Sequence, residues 1–229
     1  MERISISIGG SIFLPEDSDV SFLKEVASFI IEKAKKRKIG IVTGGGKTAR
    51  YYIKLGRALG VNEALLDMLG IDATRINART MIAALGDACY PKPALDYEEA
   101  INALQSYNIV VMGGTTPGHT TDAVTVILGE RMHADQIIIA TAVNGVYTKD
   151  PKKFKDAKKL DKIDAEELIK IVGGMNAEAG SCGVIDPLGA RMIARSGITT
   201  KVVHGKDLKA FSNAIEGKEF DGTTIVKKL

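Results

Sequence analysis

Along the first residues apolar and polar positions alternate: Ile4, Ile6 and Ile8 enclose Ser5 and Ser7, so residues 3–8 predict a strand. It runs into Gly9-Gly10-Ser11. Over residues 19–37 the period changes, and Leu23, Val26, Ala27, Ile30, Ile31 and Ala34 recur three and four apart, as on one face of a helix. Residues 39–43 form a second short apolar run that ends in Gly44-Gly45-Gly46, and residues 47–59 read as helix again. The helical pattern of residues 62–85 carries Leu65, Leu66, Leu69, Met81, Ile82 and Leu85, with an interruption expected at Gly70. This stretch is a candidate contact between subunits.

The same unit recurs downstream. Residues 108–112 predict a strand, followed by a loop from Gly113 to Asp122 and a helix through Met132. Residues 136–142 predict another strand, followed by a loop over 143–150. Helices over 165–172 and 187–196 and strands over 199–203 and 224–226 complete the chain. Strand, glycine-rich loop and helix in repetition predict an α/β fold with a mostly parallel sheet covered on both faces, its ligand loops at the carboxyl ends of the strands. No low-complexity linker divides the chain, so two lobes sharing one sheet are expected, at about 1–132 and 133–229, with a cleft between them.

Composition narrows the class. With 31 basic and 28 acidic residues the net charge is +3, which gives no footprint for nucleic acid. The lysine-rich runs at 33–38 and 149–159 read as solvated surface. Cys89 and Cys182 lack metal-ligand spacing and read as small core residues in a reducing compartment. No apolar run approaches the roughly 20 residues that span a bilayer, and the N-terminus carries no secretory pattern. A cytoplasmic protein without a membrane segment is the expectation.

Glycine is the outlier, with 24 residues clustered in short loops. A glycine loop between a strand and a helix presents backbone N–H groups and the positive end of the helix dipole, and both favour phosphate. Three loops fit: Gly9-Gly10-Ser11, Gly44-Gly45-Gly46-Lys47 and Gly113 to Asp122. Gly46-Lys47-Thr48 ends like the P-loop of many ATPases, but that pattern needs glycine where Ile41 stands. None of the loops has the G-x-G-x-x-G of a dinucleotide-binding turn.

Taken together, Ile8-Gly9-Gly10-Ser11, Gly44-Gly45-Gly46-Lys47-Thr48-Ala49-Arg50, Gly113-Gly114-Thr115-Thr116-Pro117-Gly118-His119-Thr120-Thr121-Asp122 and Asn144-Gly145-Val146-Tyr147-Thr148-Lys149-Asp150-Pro151 resemble the amino-acid-kinase superfamily, and within it the archaeal UMP kinases. The resemblance runs nearly end to end. It implies a three-layer αβα sandwich, usually assembled as a homohexamer, that transfers the γ-phosphoryl group of ATP to UMP, with UMP in the N-terminal lobe and ATP in the C-terminal lobe. By matching position it implies UMP contacts at Gly45, Asp67, Thr115, Thr116, Pro117, Gly118, His119, Thr120 and Thr121. It implies ATP contacts at Gly9, Gly10, Gly46, Arg50, Thr141, Tyr147 and Asp150.

Many members of this superfamily have a lysine two residues before the first loop glycine, where this chain has Ser7. Another cation must then face the transferring group. Lys47 is the first candidate and Arg50 the second, with Asp122 as a candidate catalytic carboxylate beside them. Asp186, before Pro187, reads equally as a cation-orienting group or a helix N-cap. No His, Cys and carboxylate cluster reads as a protein metal site, so Mg²⁺ is expected to arrive with ATP. The alternatives are a sibling kinase acting on an acidic metabolite or isopentenyl phosphate, or a non-catalytic nucleotide-binding regulator.

Overall fold

The computed structural model describes residues 1–14, 20–151, 153–175 and 184–228. In chain order, β1 (Glu2–Ile8) and the short α1 (Gly10–Phe13) precede α2 (Ser21–Ala34), β2 (Arg37–Thr43), α3 (Gly46–Ala58), α4 (Glu63–Leu85), α5 (Tyr97–Ser106), β3 (Ile109–Met112), α6 (Thr121–Arg131) and β4 (Gln136–Thr141). A hairpin of β5 (Val146–Tyr147) and β6 (Lys159–Leu160) follows, then β7 (Lys162–Asp164), α7 (Ala165–Met175), α8 (Pro187–Ser196), β8 (Thr200–His204), α9 (Leu208–Ile215) and β9 (Gly222–Val226). Among the described residues the main sheet has seven strands in the order β3-β2-β1-β4-β8-β9-β7. All its pairs are parallel except β8 with β9. The expected αβα arrangement with a mostly parallel sheet is therefore present.

Alternation along β1 explains how the layers meet. Ile4, Ile6 and Ile8 share a buried cluster with Ile30 of α2, Met81 of α4 and Phe211 of α9. Each such side chain contributes about 1.5–3 kcal/mol by leaving water. Ser5 and Ser7 face the other way, towards α6, where the Ser5 hydroxyl donates to the carbonyl of Thr125 at 2.7 Å. Their small size lets α6 lie close against the central strand. Farther along that face, Val126 of α6 joins Ile139 of β4, Leu168 of α7 and Ile193 of α8 in a second cluster.

Several expectations change. The helix over 62–85 is continuous as α4, capped by the Asn62 side chain, which accepts from the Leu65 amide at 3.0 Å. Gly70 does not interrupt it; it makes room for Ile53 of α3, whose Cδ1 lies 3.3 Å from where a Cβ would stand. One internal glycine costs a helix only about 1 kcal/mol, which packing offsets. Helices α5 and α9 were not anticipated.

The lysine run at 33–38 is solvated only in part: Lys35 and Lys36 are exposed, whereas Lys33 pairs with Glu216, Arg37 with Glu2, and Lys38 donates to the Leu104 carbonyl. In the second run Lys149 pairs with Asp156 and Lys159 with Asp221. Cys89 is buried, and desolvation pushes its thiol up to about 11. Cys182 lies outside the described residues. No helix among the described residues is long and apolar enough to cross a membrane.

Candidate active site

Strands β1, β2 and β3 each end in glycine, and these ends meet. At Gly10 a Cβ would stand 2.5 Å from the Gly44 carbonyl oxygen and 2.7 Å from the Gly46 nitrogen. Gly46 itself has φ +58°, a conformation that other residues adopt only with strain. The first two loops can therefore touch only as bare backbone. Strand order makes this a functional position: the chain moves from β1 outward to β3 on one side and then resumes at β4 on the other. In open α/β sheets the crevice at such a switch point is where ligands bind.

Helix α4 sets the spacing of the second and third loops. The buried Thr74 hydroxyl donates to the Ile71 carbonyl at 2.6 Å and accepts from the Gly114 amide at 2.7 Å. The Thr43 hydroxyl donates to the Thr74 carbonyl at 2.9 Å, and the buried Asn77 amide donates to the Gly44 carbonyl at 2.7 Å. None of these three residues was singled out from sequence. The available signal was two polar residues, three apart, within an otherwise buried helix face, which also holds Ile71, Ala78 and Met81.

Two cavities open around these loops. One, of about 310 Å³, is lined by Gly45, Gly46, Arg50, Asp67, Ile71, Thr74, Gly114, Thr116, His119, Thr120 and Thr121, among others. The other, of about 210 Å³, is lined by Ser7, Gly9, Gly10, Gly44, Gly45, Gly46, Arg50, Thr121, Asp122 and Thr141, among others. Gly45, Gly46, Arg50 and Thr121 border both, so the cavities adjoin. A separate apolar recess is lined by Tyr147, Asp150, Leu168 and Val172, and it shares Val184 with the second cavity.

Most residues expected to contact ligand thus gather at this cleft, but Thr115, Pro117 and Gly118 are absent from the cavity linings. The Gly118 amide donates to one oxygen of Asp67 at 2.8 Å, and Thr115 meets the Tyr97 hydroxyl at 3.4 Å. Thr120 serves as the N-cap of α6, accepting from the Ala123 amide at 3.3 Å. Lys47, exposed in the first turn of α3, lines neither cavity, whereas Arg50, one turn on, lines both.

The second cavity also presents Asp122, which lies near a second carboxyl, Asp186. Asp122 accepts from Ser7 at 3.0 Å, which is what a serine does where a lysine would have supplied charge. Desolvation, with the like charge of Asp186 adding to it and the Ser7 hydrogen bond opposing, pushes Asp122 up to about 7. Asp186 is the N-cap of α8, accepting from the Leu188 and Gly189 amides at 2.8 and 3.0 Å, and it also accepts from the Thr120 hydroxyl. The N-cap reading of Asp186 is thus the one seen, and its charge also bears on Asp122. Among the described residues no group of three or more His, Cys, Asp or Glu could hold a metal by itself. Asp122, which lines the second cavity, is nevertheless an oxygen donor that fits a cation bringing other ligands with it.

The model of the amino acid kinase family matches residues 2–204. A uridylate kinase of Pyrococcus abyssi is 47% identical over 97% of this chain and 99% of its own length. One of Methanobrevibacter smithii is 42% identical over 99% of the chain and 100% of its own. The solved uridylate kinase of Archaeoglobus fulgidus superposes with a TM-score of 0.88 at 39% identity, covering 99% of this chain and 100% of that one. A Bacillus anthracis UMP kinase, 20% identical with a TM-score of 0.82, shares the fold. With its loops, sheet order and full-length relatives in agreement, the chain belongs to the amino acid kinase family, on the branch of the archaeal uridylate kinases.

Proposed function

We propose that this protein transfers the γ-phosphoryl group of ATP to UMP, giving ADP and UDP. The observation that carries the reading is the adjoining pair of cavities sharing Gly45, Gly46, Arg50 and Thr121. The larger would take UMP, with Asp67 and the loop from Thr115 to Thr121 around it. The smaller would take the ATP phosphates against Gly9, Gly10 and Gly46, with Thr141 beside them and the nucleoside extending towards Tyr147 and Asp150. The choice of UMP as acceptor is supported by the names of the relatives. In this reading the lobe of about 1–132 holds the acceptor and that of about 133–229 holds the nucleoside of ATP.

The chemistry follows from charge. The phosphate of UMP carries roughly −1.5 to −2 at neutral pH and is a nucleophile without a strong base. One of its oxygens attacks the γ-phosphorus in line, a new P–O bond forms, and the bond to the β,γ-bridging oxygen breaks as ADP leaves. The enzyme's part is to align the two phosphates and offset their charge. Backbone amides at the starts of α3 and α6 and the Arg50 guanidinium do this, with Lys47 as the outer member of the basic loop. Asp122, with Asp186 behind it, would hold the Mg²⁺ that enters with ATP, and that ion supplies further neutralisation of the phosphates when bound. Asp122 is thus a carboxylate for orientation of charge, with no proton to abstract.

The assembly proposed is a homohexamer acting in the cytoplasm. Support for a subunit contact comes from α3 and the start of α4, where Tyr51, Leu55, Leu59 and Leu65 are 64%, 48%, 74% and 47% exposed. Incubation with Mg·ATP and, separately, UMP, CMP, N-acetylglutamate or isopentenyl phosphate, read as ADP formation, tests the assignment. UMP should turn over fastest. Turnover of another acceptor with none of UMP would sink it, and ATP binding without any turnover would make the chain a regulator.

A further inference from the structure

Tyr147 sits on the β5–β6 hairpin, outside the main sheet, and its hydroxyl donates to the Asn144 side-chain oxygen at 2.6 Å. The Asn144 amide nitrogen in turn donates to Asp221 at 2.7 Å. The other oxygen of Asp221 accepts from Lys159. One turn residue farther on, the Val146 amide donates to the Thr223 hydroxyl at 2.7 Å, and that hydroxyl donates to the Leu160 carbonyl. Both strands of the hairpin are thus tied to the start of β9, which lies beyond the residues that the family model matches.

The chain of donors has a direction. An ionised carboxylate can only accept, so Asp221 requires the NH₂ side of the Asn144 amide to face it, and the Asn144 oxygen must then face Tyr147. That leaves the Tyr147 hydroxyl as donor, with its proton committed to the protein. The hydrogen bond from Asn144 and then the charged Lys159 hold Asp221 below the usual carboxylate range, so it is acceptor-only at neutral pH.

We propose that Asp221 is a positioning residue for nucleotide binding: through Asn144 it fixes the Tyr147 side chain that lines the apolar recess. The inference rests on the reading that the nucleoside of ATP lies beside Tyr147. Asp221 itself is exposed and lines neither cavity of the cleft nor the recess. It acts on affinity for ATP by removing alternative orientations of the ring before the nucleotide arrives.

The test is calorimetric titration of the full-length protein with ATP in the wild type, Asp221→Asn, Tyr147→Phe and the double variant. Asp221→Asn keeps the shape but can donate as well as accept, so the Asn144 amide is free to turn over. We expect the Kd for ATP to rise about three- to tenfold in Asp221→Asn and in Tyr147→Phe, and no further in the double variant. The melting temperature and the affinity for UMP should stay near wild type. Equal losses from Asp221→Asn with and without the tyrosine hydroxyl would overturn the inference, as would an unchanged Kd in Asp221→Asn. Tyr147→Ala separates this from the reading beneath it. If that variant binds ATP like the wild type, the nucleoside is not beside Tyr147 and both fall; if it binds weakly while Asp221→Asn does not, only the inference falls.

Discussion

On the acceptor side of the cleft, the loops hang from α4 through Thr74 and Asn77, which are 6% and 2% exposed. On the donor side, Tyr147 is held from the surface through Asn144, Asp221 and Lys159. The first set of bonds is buried, so losing a partner there leaves a backbone amide or carbonyl without water or protein to replace it. The second set is part-buried at Tyr147, but its bonds to Asp221 are exposed, and there water can replace a partner that is removed. Damage to the acceptor side should therefore cost stability and UMP binding together, and damage to the donor side should cost ATP binding alone.

The largest effect is expected where the two sides meet. Arg50→Ala should lower kcat by about 10²–10³, in line with removing one preorganised charge stabiliser. Lys47→Ala should lower it by much less, because Lys47 lines neither cavity. Steady-state turnover of UMP measures both, and a greater loss in Lys47→Ala would transfer the central role to the lysine. Next in size is Thr74→Val, which keeps the shape and leaves the buried Gly114 amide unpaired. It should destabilise the fold by about 1–3 kcal/mol in denaturant melts and raise the KM for UMP more than that for ATP. An equal rise in both would erase the contrast between the sides.

How much of this could be read from the chain differs between the two sides as well. The strands carrying the loops were legible because apolar runs end in glycine, and Arg50 and Thr121 followed from the loop motifs, whereas Asp67, on α4, came from the family resemblance alone. Thr74 and Asn77 were not, since their partners, Gly114 and Gly44, are 40 and 33 residues away and are backbone atoms, which carry no side-chain signature. Helix α5 escaped because much of its buried face is alanine, Ala100 and Ala103 with Leu104, a weak apolar signal. The role of Ser7 was half legible: the missing lysine was plain, but its hydrogen bond to Asp122 depends on how closely α6 approaches β1.

A smaller prediction concerns pH. Asp122, pushed up to about 7, keeps its proton in the fold at pH values where the unfolded chain has lost it, so its contribution is fully present below about 4 and is lost as pH rises towards 7. Without nucleotide or Mg²⁺, Asp122→Asn should therefore gain stability relative to the wild type between about pH 4 and 7, read from melts across that range. A difference that does not change with pH would mean the carboxyl is ionised throughout.

The most direct test of the whole account is an initial-rate grid of ADP formation with ATP and UMP varied together. Adjoining cavities and direct in-line transfer predict double-reciprocal lines that intersect, because both substrates must be bound at once. Parallel lines, the mark of a covalent phosphoryl-enzyme, or no dependence on UMP would contradict it.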